Sequence, residues 1–116
     1  MSRWETQSHL DADLDPDRVW NASARIVFRT GLRLRFEVIE HEHGRLFTDE
    51  ARLPGARMGH RHLIERADGG GCRLANTIYV DGPLAPLWRR ILGPAAARSL
   101  PDAQRAIVTV ALAADS

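Results

Sequence analysis

The chain has 116 residues, with 16 basic and 15 acidic side chains and a formal net charge of +1. That length fits a single domain, residues 1–116, with enough chain for one ordinary core. The near balance of charge argues against a dedicated nucleic-acid-binding protein, which would concentrate a basic excess on its surface.

Cysteine content and basic composition suggest where the protein works. Cys72 is the only cysteine, so we expect neither an internal disulfide nor a cysteine metal cluster. All 16 basic residues are arginine, a composition typical of GC-rich bacterial genomes. The first ten residues lack a basic segment followed by an apolar run, so we expect no signal peptide. The sequence favours a bacterial cytoplasmic protein.

The first forty residues predict a strand, a short helix and two more strands. Residues 3–10 alternate loosely and predict the first strand. Asp15 is the expected cap of a two-turn helix that begins at Pro16. A short strand is predicted at Arg25–Phe28, and a cleanly alternating one at Leu32–Glu40.

Glycine turns divide the middle of the chain into three further strands. These are predicted at Leu46–Leu53, Arg57–Glu65 and Cys72–Val80. Turns are expected at Gly44, at residues 54–55 and at residues 69–71. Consecutive hairpins indicate an antiparallel sheet, here of about six strands, with one face covered by a helix.

The last third of the chain, from Pro83 to Ala114, predicts one long helix. It is too charged to insert stably in a membrane. Pro94 should kink or break it, because proline removes one backbone hydrogen bond. Apolar or small residues recur at three- and four-residue spacing and predict the face that packs on the sheet. They are Leu84, Leu87, Trp88, Ile91, Leu92, Ala95, Ser99, Ala103, Ala106, Ile107 and Val110.

Three strings in this order resemble the SRPBCC superfamily, the START-like helix-grip fold, and most closely its bacterial polyketide cyclase/dehydrase-like branch. They are DPDRVW (residues 15–20), RFEVIE with GRLFTDEARLPGARM (35–58), and GGGCRL with VDGPLAPLWRRILG (69–93). The resemblance implies an α+β fold in which a curved antiparallel sheet wraps around a long C-terminal helix. It also implies an apolar cavity for a small hydrophobic ligand, lipid- or polyketide-like, with catalysis in a minority of members.

The chain is shorter than this family's pattern after the first helix. Family members usually place a second helix and one more strand there, whereas only residues 21–25 separate Trp20 from the next predicted strand. The missing elements should leave a sheet edge or an apolar cavity mouth uncovered. Such surfaces are often covered by a second copy, so a symmetric homodimer is expected.

The strand at residues 57–65 carries the residues with the most chemistry. Strand periodicity places His60 and His62 on the face of Met58 and Ile64, which is the expected cavity face. Asp49 and Asn76 should face the same way from neighbouring strands. Two imidazoles and a carboxylate suit general acid–base work, so His60, His62 and Asp49 are the candidate catalytic residues. The alternative is that these polar groups bond one another or water inside a wet cavity.

The first hypothesis is therefore a binding protein for a small hydrophobic ligand, without a cofactor. The alternatives are a polyketide cyclase or dehydratase-type enzyme, and a non-catalytic relative that acts by self-association. A metal site at Asp49, His60 and His62 has no spacing motif to support it, and none is expected. His41 and His43 are predicted to be solvated. The candidate ligand-binding residues are Phe36, Val38, Phe47, Met58, His60, His62, Asn76, Ile78, Leu87, Trp88 and Ile91.

Overall fold

The computed structural model describes the backbone of residues 3–34 and 37–113, and the side chains in those ranges except residues 27–34. Its elements are β1 (Arg3–Ala12), α1 (Pro16–Leu34), β2 (Glu37–Glu42), β3 (Leu46–Leu53), β4 (Ala56–Arg66), β5 (Cys72–Asp81) and α2 (Ala85–Ala113). The predicted α+β class and its long C-terminal helix are confirmed.

The described strands form one antiparallel sheet in the order β1-β5-β4-β3-β2. It has five strands among the described residues, where the sequence predicted about six. β3 matches its predicted bounds, β4 is one residue longer than predicted at each end, and β5 is one residue longer at its C-terminal end. Glycine fits the turns before β3 and β4, because Gly44 and Gly55 have φ of 81° and 68°.

The predicted strand at Arg25–Phe28 is wrong, and so is the start of the strand predicted from Leu32. α1 runs without interruption from Pro16 to Leu34, so one helix of 19 residues occupies this segment. Asp15 caps it as predicted, because its Oδ1 accepts a hydrogen bond from the Asp17 amide at 3.2 Å.

β2 forms one edge of the sheet, and its register shifts between Val38 and Glu40. This bulge pairs His41 with Phe47 and so brings His41 onto the same face as Val38, where strict alternation predicted opposite faces. His41 is exposed, as expected of a solvated side chain, yet its ring centroid lies 5.9 Å from that of Trp20.

α2 packs on β1 and β5, but with a different face from the one predicted. Its fully buried residues are Ala85, Gly93, Ala96, Leu100, Gln104, Ile107 and Ala111. Small residues let the helix approach closely: a Cβ at Gly93 would lie 3.3 Å from Cζ2 of Trp4. Leu87 and Ile91 lie about half a turn away on the helix and are 49% and 56% exposed. Pro94 and Pro101 both lie inside α2, so neither ends the helix.

The apolar core fills only one end of the space between the sheet and the helices. It joins α1 to the C-terminal half of α2 through Val19, Trp20, Ala22, Phe47, Ile64, Cys72, Leu74, Ile107 and Ala111. Towards the other end, the inner sheet face is less covered. Ala51, Met58, His60 and Ile78 are only partly buried there, and Val38 is 58% exposed. We call these five residues the open inner patch.

Candidate functional site

Strand register brings the four predicted polar residues together on the inner face of the sheet. Asp49 of β3 pairs with His60 of β4, and His62 pairs with Asn76 of β5. Asp49, His62 and Asn76 are 3%, 5% and 2% exposed, whereas His60 is partly exposed and borders the open inner patch. The site therefore has a buried polar floor with one histidine at its margin.

Asn76 joins the two histidines. Its Nδ2 donates to Nε2 of His60 at 3.2 Å and to Nδ1 of His62 at 3.0 Å. The two imidazoles are stacked with centroids 3.8 Å apart, and Phe47 stacks on the other side of His62 at 4.3 Å. These contacts leave each ring little freedom to turn.

Asp49 and His62 form a second, looser contact. Oδ2 of Asp49 lies 3.5 Å from Nε2 of His62, and neither atom has a hydrogen-bond partner among the described residues. Burying two polar atoms without hydrogen-bond partners costs folding free energy. Such pairs are therefore expected mainly where function requires them. A carboxylate beside an imidazole can orient the ring and stabilise its charged form.

Gln104 completes the site from α2, and the sequence analysis did not identify it. It is 1% exposed, and its Nε2 lies 2.7 Å from the Ser8 carbonyl oxygen, 3.2 Å from that of Leu74 and 3.0 Å from Oδ1 of Asn76. Its Oε1 accepts from the Ser8 hydroxyl at 2.8 Å. The helix is thus tied to β1 and β5 through one amide, which also fixes Asn76.

His60 is held in its neutral form. Burial, followed by the neighbouring His62, lowers the pKa of His60 from 6.5 to about 3. Both causes disfavour the charged form of His60, because burial removes its hydration and the charge of a second imidazole would repel it.

We expect His60 to make stability fall as the solution is acidified from pH 7 to pH 5. The unfolded chain takes up a proton near pH 6.5 and the folded chain only near pH 3, so unfolding binds a proton between these values. The loss attributable to His60 should be about 2 kcal/mol at most. Urea denaturation at both pH values measures it. His60→Gln should remove this part of the pH dependence, whereas His9→Gln, at an exposed site on β1, should retain it.

The apolar residues predicted to bind ligand are dispersed. Phe47 belongs to the buried core, while Met58 and Ile78 lie in the open inner patch with Val38. Leu87 and Ile91 do not face the sheet, and Trp88 donates its indole N–H to the Pro54 carbonyl oxygen at 2.9 Å. Phe36 lies outside the described residues. A contact of any of these residues with a ligand stays a prediction.

The outer face of the sheet carries a separate groove of about 380 Å³. Its charged side chains are paired: Glu40 accepts from Arg61 at 3.1 Å and from the Thr48 hydroxyl at 2.8 Å. Among residues whose side chains are described, no three His, Cys, Asp or Glu residues are grouped to hold a metal ion. No helix within the described ranges is long and apolar enough to cross a bilayer.

No protein-family model and no curated protein matches the sequence. Solved structures match its fold. Norcoclaurine synthase from Thalictrum flavum aligns with a TM-score of 0.67 and 12% identity, over 96% of this chain and 87% of that one. The same synthase in complex with dopamine and hydroxybenzaldehyde aligns at 0.57 and 13%, over 93% and 87%.

Two bacterial structures give similar alignments over nearly the whole chain. TTHA0849 from Thermus thermophilus has a TM-score of 0.56 and 15% identity, over 97% of this chain and 99% of that one. CalU16 from Micromonospora echinospora has 0.50 and 11%, over 97% and 96%. At these identities the likeness shows the fold alone: the protein has a helix-grip fold.

Proposed function

We propose that this protein binds a small, largely apolar molecule on the inner face of its sheet, in the manner of the polyketide cyclase/dehydrase-like branch that its sequence resembles. The observation that carries the proposal is the open inner patch, where apolar side chains border a histidine held by a buried amide network. Apolar walls with a few convergent polar groups are the usual make-up of a ligand site. That norcoclaurine synthase holds small aromatic molecules on the same fold supports this choice.

The proposed ligand contacts have two tiers. The surface that a ligand would touch first is formed by Met58, Ile78, Val38 and His60. Beneath it lie His62 and Asn76. Contacts by Phe36, Phe47, Leu87, Trp88 and Ile91 belong to the proposal as well, and they require the ligand to reach beyond the patch.

Ligand uptake can be tested by native mass spectrometry of the protein purified from cells. We expect an additional mass on the wild-type chain that dissociates in organic solvent. Met58→Gln should weaken uptake roughly tenfold, because it removes about 1.5 kcal/mol of apolar contact.

The matched control is Arg57→Gln, which places the same side chain one residue away on the outer face of β4. It should leave uptake unchanged. Equal losses in the two variants, or a wild-type spectrum without any ligand, would contradict binding at the open inner patch.

An acid–base enzyme is the second candidate, favoured by the unpartnered Asp49 and His62 atoms. In it, His62 or His60 exchanges a proton with the substrate and Asp49 stabilises the charged ring. Turnover of the co-purified molecule should then disappear in His62→Asn, whereas a pure binding protein would show no turnover in either form.

Self-association remains part of the proposal. Val38 and Ile39 on the edge strand β2 are 58% and 51% exposed, and Leu87 and Ile91 on α2 are also exposed. Exposed edges and apolar side chains of this kind favour a homodimer. The same native spectra report it as twice the mass of the chain. A bacterial cytoplasmic location is likewise proposed, on composition alone.

A further inference from the structure

Proton positions in the site are set by a chain of hydrogen bonds that starts at the backbone. The carbonyl oxygens of Ser8 and Leu74 can only accept, so the Gln104 atom that faces both of them must be its amide nitrogen. The Ser8 hydroxyl bonds the other atom, Oε1, and can donate to it. The orientation of the Gln104 amide is therefore determined by the two carbonyl oxygens, which cannot donate.

Gln104 in turn determines the orientation of Asn76. Its Nε2 lies 3.0 Å from the Asn76 side chain, and the atom that faces a donor must be the acceptor, Oδ1. Nδ2 of Asn76 is then the atom that faces the histidines, and its two hydrogens are donated to Nε2 of His60 and Nδ1 of His62. Both of these ring nitrogens must be unprotonated to accept.

Each neutral imidazole carries its proton on the remaining nitrogen. In His62 that is Nε2, which faces Oδ2 of Asp49 at 3.5 Å. In His60 it is Nδ1, which has no hydrogen-bond acceptor among the described residues. His60 is partly exposed and lies in the open inner patch, whereas the N–H of His62 is buried beside Asp49, so the N–H of His60 is the donor that we expect a ligand to reach.

We infer that Gln104, acting through Asn76, is a positioning residue that fixes the tautomers of His60 and His62. The site then selects apolar molecules that carry a carbonyl-type oxygen, because such an oxygen accepts a hydrogen bond from Nδ1–H of His60. The choice of ligand rests on the proposed binding function, whereas the proton positions do not. A neutral donor beside apolar side chains favours a ketone or ester oxygen over a group that can only donate. The low pKa of His60 agrees with a ring that stays neutral at ordinary pH.

Nitrogen-15 NMR of the histidine rings reads the tautomers directly, without any ligand. In the wild type we expect the proton of His60 on Nδ1 and that of His62 on Nε2. Gln104→Glu replaces the donor by an acceptor, so Asn76 should turn its amide and the proton of His60 should move to Nε2. Asn76→Asp should move it too, because a carboxylate accepts where the amide donated.

Two variants make this test robust. Asn76→Asp keeps the shape of the side chain and leaves Gln104 its acceptor, so it provides the same test of the tautomers if Gln104→Glu does not fold. Asn21→Asp makes the same chemical change at an exposed position on α1 and should leave the ring spectra unchanged. A wild-type His60 protonated on Nε2, or tautomers unmoved in a folded variant, would overturn the role of Gln104 and Asn76.

The ligand class is tested with two probes of nearly equal size, 2-acetylnaphthalene and 2-ethylnaphthalene, titrated against the wild type and Asn76→Asp. One hydrogen bond should favour the ketone roughly three- to tenfold in the wild type. Asn76→Asp should lose that preference. Equal binding of the probes by the wild type would overturn the ligand class. Binding of neither probe would overturn both the ligand class and the proposed function, while the ring spectra still decide the tautomers.

Discussion

Gln104→Leu is expected to destabilise the protein by about 3 to 5 kcal/mol, because each buried polar group left without its partner costs about 1–3 kcal/mol. The change orphans Oδ1 of Asn76 and removes the bonds to the Ser8 and Leu74 carbonyl oxygens and to the Ser8 hydroxyl. Leucine is similar in volume and well accepted in helices, so neither packing nor helix propensity offsets the loss. Urea denaturation at pH 7 measures it.

The control for this prediction lies one residue further along α2. Arg105 is exposed and its ion pair with Asp102 is a surface contact within the same helix. Arg105→Leu should change the free energy of unfolding by about 0.5 kcal/mol or less. If Gln104→Leu proved equally mild, the amide of Gln104 would not be what ties α2 to β1 and β5.

Much of the sheet could be predicted from the sequence, because local signals agree there. β3, β4 and β5 alternate and are bounded by glycine turns, and strand periodicity alone placed His60 and His62 on the inner face with Asp49 and Asn76. Burial of three of these four residues follows from the register that the turns impose.

The segment after Trp20 was misread because a short apolar run fits either a strand or a helix. The apolar run within Arg25–Phe28 is Ile26, Val27 and Phe28. Over a longer window, Val19, Ala22 or Ser23, and Ile26 recur at helical spacing, and these residues are buried or partly buried in α1. The helical spacing therefore decides the structure of this segment, and the described residues form one strand fewer than predicted.

The predicted orientation of α2 on the sheet was wrong for a different reason. Hydrophobicity favoured the face with the larger side chains, Leu84, Leu87 and Ile91, but close packing on β1 favours Gly93 and Ala96. Gln104 lies on the buried face that was not predicted, and a polar amide adds nothing to an apolar pattern, so it was not identified. A usable signal was present: Gly93, Ala96, Leu100, Gln104, Ile107 and Ala111 follow each other at spacings of three and four. A polar residue in such a series is a candidate for a buried hydrogen-bonding role.

Gly59→Ala should destabilise the protein by about 3 kcal/mol, which is unusual for adding one methyl group to a strand. Gly59 pairs with Tyr79 on the outer face, and a Cβ at Gly59 would lie 2.0 Å from Cζ of the tyrosine ring. The ring cannot move without cost. It is 7% exposed, its hydroxyl donates to the Glu50 carboxylate, and the Arg3 guanidinium lies 4.3 Å from its centroid.

A double-mutant cycle separates this clash from any intrinsic effect of alanine in β4. In a Tyr79→Ser background the space beside residue 59 is open, so Gly59→Ala should be neutral or stabilise by up to about 1 kcal/mol, because alanine lowers the entropy of the unfolded chain. The destabilisation should thus disappear or change sign in the Tyr79→Ser background, as measured by urea denaturation. Equal destabilisation in both would mean that the glycine is required by the backbone of β4 and not by the ring of Tyr79.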